Sequence, residues 1–221
     1  MIEFEGFKKY PIVYGVATRH ITLDDFLNEV GIDNSRLAYL EQIHRAKVLN
    51  IDSKTKLTAP LRECDGAITN LRDIAIVVLT ADCLPIFLYD PVKCVIAIAH
   101  AGWRGTYEGI ANNILNLMKS NFKSDISQVL VGLGPAIRQC CYEVKSEFLG
   151  RFPNSVVKVA HRFYFDLVGE NVRQLLACGI SSKNIFDCGI CTSCSNDKYY
   201  SYRREGEKAG RMAAVIMLKE E

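Results

Sequence analysis

The sequence predicts one mixed α/β domain, and three observations carry that expectation. Ile74–Leu79 and Val95–Ala99 are apolar on successive residues, the pattern of central strands covered on both faces. From Arg104 the period changes: Tyr107, Ile110, Ala111, Ile114, Leu117 and Met118 recur at three- and four-residue steps, which reads as an amphipathic helix of about four turns. No linker, low-complexity tract or internal repeat breaks the 221 residues, so 1–221 is expected to act as a single domain.

Taken in order, Ile12–Thr18 predicts a strand with Gly15 as a bend. DDFLNEVG predicts a short helix with Asp24 as N-cap and Gly31 as C-cap. KVLNID, GAIT and IAIVVLT are expected strands. PIFLYDPVKCVIAIAH predicts two strands joined by a turn at Asp90–Pro91. QVLVGLG reads as another buried strand, CYEVKSEFLGRF as a helix, and FYFDLVGENVRQLLACG as a strand running into a helix that stops at Gly179. NIFDCG, KYYSYR and AAVIML are expected to supply the last strands.

Charge and composition narrow the function. Lys and Arg number 27 against 25 Asp and Glu, a net charge of +2, so no electrostatic footprint for nucleic acid is present. The opening MIEFEGFKKY has no apolar leader segment, and the runs IAIVVL and CVIAIA are too short to span a bilayer. A cytoplasmic protein with no membrane partner is expected. Its nine cysteines are then mostly reduced.

Chemistry concentrates where polar groups interrupt apolar runs. Cys83 follows IAIVVLT, and His100 ends VIAIA; both are expected at the carboxyl ends of strands, where parallel α/β sheets gather reactive groups. His44 lies in LEQIH. Two imidazoles and a thiolate suit zinc and leave a fourth tetrahedral position open; the alternative is that each is a hydrogen-bonded core residue. Asp82 is expected to orient a loop or a ligand histidine rather than to bind metal. In HAGWRGT, Gly102 and Gly105 bracket a strand-to-helix turn, and Arg104 adds a fork of donors for an anion. The alternative there is a tight turn with Trp103 packed as a lid and Arg104 in a structural ion pair.

An ordered set of stretches resembles a known family. They are QIH (Gln42–His44), CDGAIT (Cys64–Thr69), TADCLPI (Thr80–Ile86), AHAGWRGT (Ala99–Thr106), GPAIRQCCYEV (Gly134–Val144), FDL (Phe165–Leu167), CT (Cys191–Thr192), SYRREG (Ser201–Gly206) and GRMA (Gly210–Ala213). The chain is similar to the laccase-domain, or multicopper polyphenol oxidase-like, proteins that are purine nucleoside phosphorylases with adenosine deaminase activity. The resemblance implies layered mixed β-sheets flanked by helices. It implies a zinc ion held by His44, Cys83 and His100; Asp82 and Arg104 join these three as candidate catalytic residues. It also implies phosphorolysis of adenosine, inosine, guanosine and methylthioadenosine, and deamination of adenosine. Purine nucleoside and phosphate are the expected partners, with Arg19, Arg104 and Arg203 as candidate phosphate ligands. The N-terminal segment departs from the family pattern: TRH retains Arg19, but the Asn-Arg helix that usually follows has no counterpart.

Other readings compete. A polyphenol oxidase needs more imidazoles than His20, His44, His100 and His161 supply. Cys83 as a nucleophile with His100 as base would suit an amidase that edits cell-wall precursors. DCGICTSC, with Cys188, Cys191 and Cys194, joined by Cys140 or Cys141, could instead build a structural zinc knuckle or hold an iron–sulfur cluster.

Overall fold

A computed structural model describes residues 2–219. The strands are β1 (Ile12–Val16), β2 (Leu37–Tyr39), β3 (Val48–Asn50), β4 (Gly66–Thr69), β5 (Ala75–Thr80), β6 (Leu84–Asp90), β7 (Val95–Ala101), β8 (Leu130–Leu133), β9 (Glu143–Val144), β10 (Val156–Val159), β11 (Arg162–Phe165), β12 (Ile185–Asp187) and β13 (Met212–Leu218). The helices are α1 (Leu23–Val30), α2 (Trp103–Tyr107), α3 (Ile110–Phe122), α4 (Phe148–Arg151), α5 (Leu167–Ala177) and α6 (Tyr202–Glu205).

Two mixed sheets form the body. One runs β1-β13-β5-β2 and the other β12-β8-β6-β7-β4-β3. A small antiparallel sheet, β10-β11-β9, stands beside them. Alternation along the strands explains the layering. Ile76 and Val78 of β5 pack with Phe87, Tyr89, Ile96 and Ile98 between the two large sheets. Ala75 and Val77 point the other way, against Phe26 and Leu27 of α1. Val95, Ala97 and Ala99 of β7 turn to the far side and meet Ile110, Ile114 and Met118 of α3 and Leu175 of α5. Both faces of β5 and β7 are therefore covered, which is why their sequences are apolar without a break. The α/β fold of layered mixed sheets flanked by helices is as expected.

Several local expectations are corrected. Thr22, not Asp24, caps α1: its hydroxyl accepts the Asp25 N–H, while Gly31 closes the helix with φ 74°. The single helix expected after Arg104 is two, because Gly109 adopts φ 81° between α2 and α3. CYEVKSEFLGRF gives the strand β9 and the one-turn α4 in place of a helix. KYYSYR is not a strand: the Ser201 side chain accepts the Arg204 N–H and caps α6. Among the described residues no helix is long and apolar enough to cross a membrane.

Candidate active site and metal centre

The β6–β7 pair builds the site. The strands are antiparallel, with Pro85 opposite His100 and Leu84 opposite Ala101. Cys83, just before β6, is thereby set beside Gly102, just after β7. As expected, Cys83 follows the carboxyl end of β5 and His100 lies at the carboxyl end of β7; these two strands are not parallel neighbours but belong to different sheets, and it is the antiparallel β6–β7 ladder that brings the two residues together. A β-carbon on Gly102 would stand 2.9 Å from the Cys83 sulfur and 3.6 Å from His44 Cδ2. Glycine is required there so that the backbone can pass the thiol.

His44 arrives from the loop between β2 and β3. The ligating atoms of His44, Cys83 and His100 all lie within 4.8 Å of one another. The two imidazole rings meet edge to face with centroids 4.8 Å apart.

Asp65 holds this arrangement, and the sequence reading did not single it out. Its buried carboxylate accepts N–H bonds from Ile43 (3.1 Å), His44 (2.9 Å) and Arg45 (2.8 Å). It also accepts the His100 Nδ1–H at 2.8 Å. A carboxylate only accepts, so His100 carries its proton on Nδ1 and keeps Nε2 free to ligate. Three successive N–H groups can converge on one carboxylate because His44 adopts φ 58°. The available signal was a single Asp opening the apolar strand GAIT.

Electrostatics favours a charged thiol. Burial pushes the Cys83 thiol up, but the charge and hydrogen bonds of His100, with help from His44, outweigh it and bring the pKa down to about 6. Burial likewise works to lower His100, but the Cys83 charge and the Asp65 hydrogen bond carry it up to about 9. Each group thus favours the charged form of the other, which lowers the cost of forming a thiolate at Cys83. The donor set fits zinc: two imidazoles and a thiolate, already gathered and oriented by a carboxylate.

Asp82 does not touch the histidines. Its carboxylate accepts the Thr192 hydroxyl at 2.6 Å and the Arg203 backbone N–H at 2.6 Å. These bonds tie the Cys191–Thr192 segment and α6 to the cleft. Asp82 has φ 89°, so the turn that presents Cys83 is also in a left-handed conformation.

A cleft of about 1000 Å³ opens over these groups. Trp103, Arg104, Tyr142 and Arg203 line it together with His44, Cys83 and His100. The Arg104 guanidinium stacks on Trp103 at 4.5 Å from the ring centroid. It is exposed and carries no hydrogen bond or ion pair among the described residues. Arg203 lies over the Tyr142 ring at 5.3 Å and donates to the Glu143 carbonyl at 2.7 Å. Burial, reinforced by the Cys83 charge, raises the Tyr142 phenol well above its usual range, so it stays protonated. Arg19 is elsewhere: it pairs with Glu205 at 2.9 Å, stacks on Tyr200, and does not line this cleft. His20 is engaged by the Asp197 carbonyl and His161 is exposed on the surface.

Comparison with known proteins follows the same lines. Residues 21–219 match the family model described as multi-copper polyphenol oxidoreductase laccase. A purine nucleoside phosphorylase of Clostridium acetobutylicum is 38% identical over 99% of this chain and 95% of its own length. A protein named adenosine deaminase RL5, from an unknown prokaryotic organism, is 31% identical over 86% of this chain and 78% of its own. Among solved structures, YlmD from Geobacillus stearothermophilus superposes with a TM-score of 0.88 at 26% identity, covering 95% of this chain and 93% of that one.

Proposed function

The chain belongs to the family described as multi-copper polyphenol oxidoreductase laccases, and from that premise we propose that it is a zinc-dependent purine nucleoside phosphorylase that also deaminates adenosine. In this reading residues 1–221 act as one catalytic domain, and His44, Cys83 and His100 hold the zinc. The observation that carries it is the gathering of these three donors within 4.8 Å at a cleft that also holds Arg104, whose guanidinium has no hydrogen bond or ion pair among the described residues. The names of the relatives supply the substrate class. Copper oxidation is disfavoured by the donor count: of four histidines, only His44 and His100 enter the cluster.

Zinc bound there would supply a Lewis acid facing the cleft. The chain's own groups do the rest. Asp65 fixes the His100 tautomer and the backbone that presents His44. Trp103 and Tyr142 offer aromatic faces for a purine, and the protonated Tyr142 phenol can donate a hydrogen bond to it. Arg104, held on Trp103 with its donors free, takes phosphate in a bidentate contact, with Arg203 as a second cation at the rim. In phosphorolysis a phosphate oxygen bonds to C1′ as the C1′–N9 bond breaks, and the purine leaves with a proton. In deamination a water oxygen replaces the amine at C6, and ammonia departs. Adenosine, inosine, guanosine and methylthioadenosine are the substrates to be compared. A cytoplasmic setting goes with this reading, because the Cys83 thiol must stay reduced.

Phosphate-dependent release of hypoxanthine from inosine by the zinc-loaded protein tests the proposal. Release that scales with phosphate is the expected result. Release no greater than without enzyme would remove the phosphorylase reading.

A further inference from the structure

Away from the histidines, four sulfurs meet. Cys140 and Cys141 come from the loop after β8, Cys191 and Cys194 from the loop after β12, and their ligating atoms all lie within 4.8 Å of one another. The separations are 3.8 Å for Cys140–Cys141, 3.7 Å for Cys140–Cys194 and 3.4 Å for Cys141–Cys194. A tetrahedron of sulfurs about 2.3 Å from a zinc ion has edges of about 3.8 Å. The three separations are close to that edge and close to one another. Disulfides would instead pair the sulfurs two by two at about 2.05 Å. An iron–sulfur cluster would place its thiolates on separate irons, further apart than one shared ion requires.

We infer that Cys140, Cys141, Cys191 and Cys194 form a second metal site, a tetrathiolate centre that takes one zinc ion. Cys188 lies outside it. Both members of the Cys140–Cys141 pair take part, because a turn bends the chain between them: the Cys141 and Tyr142 N–H groups both return to the Arg138 carbonyl, at 2.9 and 3.0 Å. The second half has the C-x-x-C spacing of a zinc knuckle.

The backbone already aligns the two loops. Ala136 N–H donates to the Ile190 carbonyl at 3.3 Å, and Thr192 N–H donates to the Ala136 carbonyl at 3.1 Å. Neither loop has much regular structure of its own, and both serve the cleft. The first carries Ile137 and Tyr142 in its wall. The second carries Thr192, whose hydroxyl bonds to Asp82 beside Cys83. A metal joining the loops stabilises that wall without touching substrate. The role is structural, and it stands independently of what the His44–Cys83–His100 site does.

The test is zinc content of the full chain, purified under reducing conditions and desalted, measured by elemental mass spectrometry. Two zinc ions are expected in the unaltered protein, one in Cys83→Ser and one in the Cys140→Ser/Cys194→Ser double variant. A zinc content unchanged by the double substitution overturns the inference, as does a single zinc that is lost on Cys83→Ser. Because the double variant can fail to fold, cobalt(II) is added to Cys83→Ser as a second measurement. There a thiolate-to-cobalt charge-transfer band of the intensity that four ligating thiolates give reports the four-sulfur site. Its appearance, with removal by zinc at one equivalent, supports the site; no such band in folded Cys83→Ser protein refutes it.

Discussion

Asp65 Oδ1 lies 2.8 Å from His100 Nδ1, with both side chains almost wholly buried. The same carboxylate accepts three backbone N–H groups from the loop that carries His44. One residue therefore positions two imidazoles that are 56 residues apart in the chain (100 − 44).

Replacing Asp65 tests that relationship. Asp65→Asn keeps the shape but removes the charge and puts an amide where an acceptor is needed. Zinc affinity should fall by about 10–100-fold, the usual cost of losing a ligand's orienting partner. Chelator competition measures it. Asp65→Ala leaves buried N–H groups and His100 unpaired and should cost about 3–5 kcal/mol of stability by denaturant unfolding. Unchanged zinc affinity in Asp65→Asn would show that the carboxylate does not orient the ligands.

The Cys83 thiol is pulled down to about 6, chiefly because the positive charge of His100 outweighs the cost of burial. Its reactive form is the thiolate, so alkylation of metal-free protein by iodoacetamide should switch on as pH rises through about 6. Bound zinc should protect the sulfur across the same range. Peptide mapping of the labelled cysteine follows both effects. Rapid labelling of zinc-loaded protein, with amide-hydrolysing activity that labelling abolishes, would favour the amidase reading instead.

The expected elements held where burial is symmetrical and failed where distant contacts decide. β6 and β7 were legible because neither face meets water, so Leu84–Asp90 and Val95–Ala101 are buried throughout. KYYSYR has the aromatic content of a strand, but Tyr199 is buried while Tyr202 is exposed and begins a capped helical turn. Cys83 and His100 stood out as polar interruptions of apolar sequence, and His44 as one of only four histidines. Asp65 did not, because its value comes from bonds to residues 43–45 and 100, and no local spacing encodes them. Asp82 drew attention as a neighbour of Cys83, yet its partners, Thr192 and Arg203, are more than a hundred residues away. The cysteines were legible as a group, but only folding separates Cys188 from Cys191 and Cys194 and brings both Cys140 and Cys141 to them.

Gly102 is the tightest point of the site. Gly102→Ala would place a methyl 2.9 Å from the Cys83 sulfur, closer than a carbon and a sulfur can pack. The sulfur or the β7 end must shift, and zinc affinity should drop by about tenfold or more, with a loss of about 1–3 kcal/mol in stability from overpacking. Gly150→Ala is the control, because nothing lies within 4 Å of the β-carbon it would add. It should leave zinc binding unaltered. Equal chelator midpoints for the two variants would mean that the Gly102 contact relaxes without cost.

Arg104 separates the two proposed reactions. Phosphorolysis consumes phosphate and deamination does not, so a phosphate-binding residue should matter to only one of them. The Arg104 guanidinium is stacked on Trp103 and lines the cleft, with its donors directed to no other described residue. Arg104→Ala should raise KM for phosphate by about tenfold or more, a loss of about 1.4 kcal/mol or more in binding, while adenosine deamination stays within about twofold. Arg104→Lys should recover little of the loss, since an ammonium cannot reproduce a planar bidentate contact or the stacking on indole. Steady-state kinetics with inosine and phosphate, run beside ammonia release from adenosine, reads both activities on one preparation. A parallel fall in the two would instead make Arg104 a support for Trp103 and the cleft wall, and phosphate would then have to be held by the Arg203 side of the cleft.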